Sequence, residues 1–170
     1  MNVISKFDWI NEDLQTLNAE NLYRQFKIFK PLSSTQAIID GKTVTLFSTN
    51  DYLGLSQHPQ LIDAAQKALQ THGVGAKSAR LISGTSDLHT ALEARIARFE
   101  DKESAFVFST GYLANLGTLS AFAGKQDEII LDKLNHASLI DAARLSGAQV
   151  RVYPHLNLDY LRKLLERSKA

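Results

Sequence analysis

The sequence predicts an α/β fold with a parallel sheet in its second half. From Glu128 to Arg167, short β-branched runs alternate strictly with stretches whose apolar residues recur at helical spacing. An Asp-Gly pair between two β-rich runs adds a hairpin to the first half. Parallel strands need right-handed crossovers, so ligands are expected at the carboxyl ends of those strands.

The first half of the chain is predicted to combine helices with the hairpin. Apolar residues three to four apart between Phe7 and Phe29 indicate one or two amphipathic helices. The hairpin pairs residues 36–39 with 43–48 around Asp40-Gly41, and Pro59 begins a helix that ends near Gly73. The glycine- and serine-rich segment 73–85 is too long for a plain connector.

The second half is predicted to carry the ligand site. A helix is expected at 87–99, capped by Thr85 or Ser86, and a short strand at 105–109 leads into a helix at Thr110-Gly111. The alternating part gives strands 128–132 and 149–153 and helices 138–145 and 158–167. We therefore expect two domains, 1–84 and 85–170, with the boundary near Gly84.

Composition narrows the class of partner. The 19 cationic and 18 anionic side chains are interspersed and leave a net charge of +1, which gives no electrostatic case for nucleic acid or a membrane surface. The chain has no cysteine, which excludes disulfides and thiolate metal sites. No signal-peptide pattern is present at the start, so a cytoplasmic protein with small-molecule partners is expected.

Two polar positions are expected on one rim of the parallel sheet. A helix that begins at Gly111 offers unpaired amides and a positive dipole end, which suit a phosphate, although an ordinary βα turn has the same pattern. His136 follows the strand at 128–132, and it is either a site residue or a histidine that caps the next helix. Ser138 and Asp141 have the spacing of a capping box.

Four motifs in order resemble the α-oxoamine synthases, from about residue 50 onward. They are Asn50-Asp51-Tyr52-Leu53-Gly54-Leu55, Arg80-Leu81-Ile82-Ser83-Gly84-Thr85, Ser109-Thr110-Gly111-Tyr112 with Ala114-Asn115, and Asn135-His136-Ala137-Ser138. The resemblance implies a fold-type I, aminotransferase-like transferase that depends on pyridoxal phosphate. It implies an acyltransferase that condenses an amino acid with an acyl thioester, and a homodimer.

The resemblance also assigns roles to individual residues. It implies that the backbone at Gly111 and Tyr112 holds the coenzyme phosphate and that His136 stacks on the pyridine ring. It places Asn50 near the carboxylate of the amino-acid substrate. Arg24 matches an arginine that some members use toward the distal acid of the acyl substrate, and the alternative for Arg24 is a solvated helix charge.

Within the family, the segment 80–84 favours the members that join L-alanine to a pimeloyl thioester in biotin biosynthesis, with loss of CO2. The relatives that acetylate glycine typically have cysteine where Ser83 stands, and a synthase of that type is the alternative.

The family's Schiff-base lysine and pyridinium-pairing aspartate are not found in this sequence. None of the ten threonines is followed by lysine three positions later, and no Asp-Glu-Ala-His segment occurs. We therefore expect an N-terminal, truncated portion of the enzyme that is inactive alone and has no catalytic residue of its own. A non-catalytic partner subunit and a nucleotide-binding βαβ protein are the other classes, although no Gly-x-Gly-x-x-Gly follows a predicted strand.

Overall fold

The computed structural model describes residues 6–168, which form two compact units that divide after Gly75. The helices are α1 (Asp8–Ala19), α2 (Pro59–His72), α3 (Asp87–Phe99), α4 (Gly111–Phe122), α5 (Ala137–Ser146) and α6 (Leu158–Arg167). The strands are β1 (Lys30–Pro31), β2 (Gln36–Ile39), β3 (Lys42–Thr45), β4 (Glu128–Asp132) and β5 (Gln149–Tyr153).

The first unit has a single helix before its sheet. Helix α1 ends at Ala19 because Asn21 has a left-handed backbone (φ 56°), which a continuing α-helix does not allow. Residues 22–29 are not helical, so the apolar pattern predicted there forms no second helix. The side chain of Phe26 in this stretch is fully exposed.

The predicted hairpin is present and gains a third strand. Asp40 and Gly41 both have positive φ, 49° and 76°, as a two-residue hairpin turn with the right-handed twist of its strands requires. Strand β2 pairs antiparallel with β3 on one side and with the two-residue β1 on the other. The buried Ala37 lies at the centre of this small sheet.

Helix α2 follows the sequence prediction at both ends. Pro59 occupies its first turn, where the missing N–H costs nothing, and the His58 side chain accepts a hydrogen bond from the Gln60 amide at 3.3 Å. Gly73 ends the helix with φ 74°.

The second unit is built on the parallel pair β4 and β5. Glu128 pairs with Gln149, and the register continues to Asp132 opposite Tyr153. Helix α5 connects the two strands, and α4 packs along α5. The core consists of buried Ile129, Leu131 and Ala143 with partly buried neighbours Leu119, Ala123, Leu139, Ile140 and Ala148.

Residues 105–109 do not form the strand that the sequence predicts. Both backbone groups of Val107 bond to side chains instead: its N–H donates to Glu93 Oε1 at 2.9 Å, and its carbonyl accepts from the Arg80 guanidinium at 3.1 Å. Residues 76–84 belong to the second unit. The boundary between the units therefore lies after Gly75, nine residues before the boundary predicted at 84/85.

None of the helices between residues 6 and 168 combines the length and the apolar content that a bilayer crossing needs.

Candidate functional site

The first part of the site is the N-terminus of α4. Thr110 has extended backbone and caps the helix, because its hydroxyl accepts from the Leu113 amide at 3.1 Å. The next two amides, of Gly111 and Tyr112, have no hydrogen-bond acceptor within residues 6–168. A Cβ at Gly111 would meet nothing within 4 Å. The helix start therefore offers two free donors beside open space, as an anion site requires.

The second part of the site is His136, which caps α5. Its Nδ1 accepts from the Ser138 amide at 3.2 Å and contacts the Ser138 hydroxyl at 2.6 Å. The capping box predicted from Ser138 and Asp141 is wrong, because the histidine occupies the cap position one residue before the helix. Asp141 instead accepts a hydrogen bond from the Tyr112 hydroxyl.

Two side-chain bridges join these parts of the site. Asn115 Nδ2 donates to the Ser138 hydroxyl at 2.8 Å, and Tyr112 OH donates to Asp141 Oδ2 at 2.9 Å. The hydrogen bond to the Asp141 carboxylate raises the pKa of Tyr112. Helix α4, which carries the free amides, and helix α5, which carries His136, are therefore fixed to each other at their N-terminal ends.

A third set of contacts, missed by the sequence analysis, fixes the segment that leads into Gly111. The Arg80 guanidinium bonds both oxygens of the Glu93 carboxylate, at 2.6 and 3.1 Å, and lies 4.8 Å from the centre of the Phe106 ring. The Arg80 hydrogen bonds, followed by the Val107 amide, lower the pKa of Glu93 to about 2. Two features of the sequence could have indicated this ion pair: Arg80 in the segment 73–85, and Glu93 next to the apolar Leu92 in α3.

Asp132 and His155 occupy the carboxyl end of the sheet. The Asp132 carboxylate accepts from the amides of Leu134 and Leu156, at 2.8 and 3.2 Å, and lies 3.0 Å from His155 Nδ1. The Leu134 amide is the main cause that lowers the pKa of Asp132, and His155 contributes further. This pair ties the loops after β4 and β5 together at the predicted rim.

The remaining predicted site residues lie in the first unit. Arg24 is exposed and lies beyond the end of α1, so the alternative of a solvated charge stays open, although the residue is not on a helix. Asn50 is exposed in a bend next to Asp51, whose carboxylate accepts from the Ser56 amide and hydroxyl. The roles of Arg24 and Asn50 remain predictions.

The site suits an anionic group joined to a planar ring. Among residues 6–168 there is no group of three or more histidine and carboxylate side chains that could hold a metal ion. Two free amides at a helix start and an exposed imidazole on the adjoining helix instead match a phosphate joined to a planar ring. The residues of the second unit therefore fit pyridoxal phosphate.

The fold and this pair of helix N-termini define the class of protein: the fold-type I enzymes that depend on pyridoxal phosphate. Residues 42–170 match the sequence model of the aminotransferase class I and II family, and the chain belongs to that family.

Individual relatives narrow the comparison. An 8-amino-7-oxononanoate synthase of Geotalea daltonii is 46% identical over 159 residues, which are 94% of this chain and 40% of that protein. The enzyme of the same name from Thermoanaerobacter pseudethanolicus is 41% identical over 99% of this chain and 43% of its own length. These relatives confirm the resemblance to the α-oxoamine synthases.

Solved structures give the same class. A serine palmitoyltransferase of Sphingomonas wittichii superposes with a TM-score of 0.86 at 37% identity, over 99% of this chain and 43% of that one. An 8-amino-7-oxononanoate synthase of Francisella tularensis has a TM-score of 0.62 at 34% identity, over 72% of this chain and 34% of that one. The chain thus spans about 40% of the length of the curated relatives it matches.

Proposed function

We propose that this chain supplies the phosphate- and ring-binding part of an α-oxoamine synthase. The reaction proposed is the decarboxylative condensation of L-alanine with a pimeloyl thioester, the activity of an 8-amino-7-oxononanoate synthase. The proposal includes a homodimeric, cytoplasmic protein, as the resemblance implies. Its main support is one observation: the free amides of Gly111 and Tyr112 lie on a helix that is bridged to the helix capped by His136.

Each residue has a distinct task in this proposal. The Gly111 and Tyr112 amides bind the phosphate, since the positive end of the α4 dipole favours a dianion. The His136 ring covers one face of the coenzyme. Bound pyridoxal phosphate supplies an electron sink through its protonated pyridine ring. Asn50 and Arg24 are proposed to bind the amino-acid carboxylate and the distal acid of the acyl chain.

The anion site can be tested separately from the chemistry by introducing a charge at position 111. Gly111→Asp meets open space, and an acidic residue in the first turn suits the helix dipole, so the variant should fold at least as well as the parent. Its carboxylate would face the phosphate. The probe is pyridoxine 5′-phosphate, which has the ring and the phosphate but no aldehyde to react with lysines, and binding is measured by isothermal titration calorimetry.

The expected result is an affinity at least about tenfold weaker for Gly111→Asp, because like charges a few ångströms apart cost more than 1 kcal/mol near a protein surface. Gln126→Glu is the matched control, since it adds the same charge at an exposed turn before β4 and should bind like the parent. Equal affinities for Gly111→Asp and the parent would refute the anion site.

The substrates are tested in a version of the protein as long as its relatives. Condensation rates are compared for L-alanine with pimeloyl-CoA, glycine with acetyl-CoA, and L-serine with palmitoyl-CoA. The last pair is included because the TM-score to a serine palmitoyltransferase is 0.86, which favours that activity as the second candidate. A large advantage for either of the last two pairs would exclude the first assignment.

The 170-residue chain is expected to condense no pair by itself, because it contains no Thr-x-x-Lys motif. Turnover by purified chain, above a blank without protein, would contradict the missing lysine. Borohydride reduction after addition of pyridoxal phosphate, followed by peptide mass mapping, provides a second check. One uniquely modified lysine would identify a Schiff-base residue outside a Thr-x-x-Lys motif.

A further inference from the structure

The Ser138 hydroxyl lies at the centre of a hydrogen-bonded chain between two helices. Ser138 is completely buried and accepts from Asn115 Nδ2 at 2.8 Å. The same hydroxyl lies 2.6 Å from His136 Nδ1, which also receives the Ser138 amide at 3.2 Å. The side chains of Asn115 and His136 thus meet at the Ser138 hydroxyl, which joins α4 to the start of α5.

The protons in this chain can be placed by counting donors. An amide N–H only donates, so His136 Nδ1 must accept from Ser138 N. Nδ1 therefore has no proton to give, so in the 2.6 Å contact the Ser138 O–H must be the donor, while its oxygen accepts from Asn115. A nitrogen that accepts two donors carries no proton, so the neutral imidazole must carry its proton on Nε2.

We infer that Asn115 and Ser138 are positioning residues that hold His136 as the Nε2–H tautomer and fix its ring orientation relative to the α4 N-terminus. The ring nitrogen left available to a ligand is then a hydrogen-bond donor and not a base. The functional meaning of this arrangement rests on the proposed coenzyme site, since it sets His136 and the Gly111 amides in one rigid frame.

A helix cap alone would not need this arrangement. Capping is complete once Nδ1 accepts the Ser138 amide, and a serine or asparagine at position 136 would cap the helix equally well. The extra bond from Asn115 comes from a different helix, and burial of Ser138 excludes water from its hydroxyl. Fixing a tautomer through the partner of the other ring nitrogen is the usual way in which a protein sets the role of an imidazole.

The test is the ¹⁵N NMR spectrum of the histidine side chains in the 170-residue chain, without coenzyme. Two-bond ¹H–¹⁵N correlations distinguish a protonated from an unprotonated ring nitrogen, and His136→Gln assigns the signals. The neutral His136 imidazole is expected as the Nε2–H tautomer. His155 provides an internal contrast, because its Nδ1 faces the acceptor-only Asp132 carboxylate and should be the protonated nitrogen.

Variants separate positioning from folding. In Ser138→Ala the ratio of the two His136 tautomers should move toward Nδ1–H by about fivefold, the factor that one typical hydrogen bond supplies. Ser138→Thr keeps the hydroxyl and should restore the parent ratio. In Asn115→Asp the hydroxyl can donate to the new carboxylate instead, so the Nε2–H preference should also fall. Unchanged His155 signals report that each variant has folded.

Two results would overturn the inference: a parent spectrum with His136 protonated on Nδ1, or a Ser138→Ala spectrum identical to that of the parent. The outcome is independent of the coenzyme proposal. Gly111→Asp should leave the His136 tautomer unchanged even if it abolishes binding of pyridoxine 5′-phosphate. A failed binding test with a correct tautomer would therefore refute the proposed function alone.

Discussion

Replacement of Gly84 by alanine is predicted to destabilise the second unit severely. Gly84 is buried at the end of the short π-helical turn formed by Arg80–Gly84, and its amide donates to the Ala79 carbonyl at 3.0 Å. A Cβ at this position would lie 2.0 Å from the Ser78 carbonyl oxygen and 2.9 Å from the Ala79 carbonyl carbon. Both contacts are to backbone, which cannot rotate away as a side chain can.

The size of the effect follows from these distances. Ordinary carbon contacts begin at about 3.5 Å, so the main chain around residue 78 would have to move by more than an ångström. Overpacking of this kind costs typically 1–3 kcal/mol, and a clash with fixed backbone belongs at the upper end, about 3 kcal/mol. With a urea m-value of about 1–3 kcal/mol/M, the unfolding midpoint should fall by about 1–3 M.

The assay is urea unfolding followed by far-UV circular dichroism, with Gly124→Ala as the matched control. A Cβ at Gly124 would have only the Asp127 Oδ2 atom within 4 Å, at 3.9 Å, which is an ordinary contact. Its unfolding free energy should lie within about 0.5 kcal/mol of the parent. If Gly84→Ala and Gly124→Ala unfold at the same urea concentration, the close approach at Gly84 is not real.

Three further outcomes are expected. Gly117→Ala should change the unfolding free energy by less than about 1 kcal/mol, because its clash at 2.8 Å is with the rotatable Phe108 ring and alanine favours the helix; a loss as large as that of Gly84→Ala would contradict this. Thr110→Ala should cost about 1 kcal/mol in urea unfolding, since it removes the cap on the Leu113 amide, and an unchanged midpoint would argue against that cap. Glu93→Gln should be less stable than the parent at neutral pH, and the gap should close as the pH falls toward 2. The folded-state pKa of Glu93 is lower than its unfolded-state pKa, so the ionised carboxylate stabilises the folded protein above the unfolded-state pKa. This stabilisation is lost as the pH falls through the folded-state pKa. A difference in unfolding free energy between the two proteins that does not change with pH would refute the prediction.

Helix α3 and the alternating elements between residues 128 and 167 could be predicted closely from the sequence. Strands β4 and β5 and helices α3 and α6 have the predicted bounds, because their hydrophobic period and their capping residues indicate the same limits. The hairpin was equally clear from Asp40-Gly41. These elements depend on local sequence, and local sequence was sufficient.

The errors occurred where tertiary contacts override local preference. Residues 105–109 have strand composition, yet Val107 is held by side chains that come from 27 and 14 residues earlier in the chain. The capping box at Ser138 was wrong because His136 occupies the cap position, and Asp141 accepts from Tyr112 on another helix. Tyr112 and Asp141 are 29 residues apart, so no short sequence pattern indicates that they form a hydrogen bond.

The candidate site could be placed but not assembled from the sequence. Gly111 and His136 were expected at helix starts on one rim, and the structure has both at helix N-termini. The bridges that connect them need the packing of α4 on α5, which is a matter of side-chain distance and not of spacing along the chain. The Arg80–Glu93 pair was missed for the same reason.

The way in which Val107 is held bears on how the rim of this chain can change shape. A strand inside a ladder moves only when its neighbours move, because every residue shares bonds with the next chain. The peptide at 107 depends on one guanidinium and one carboxylate from elsewhere in the fold. Substitutions at those two distant positions could therefore shift the start of α4, and with it the shape of the rim, while the β4 and β5 pairing stays as it is.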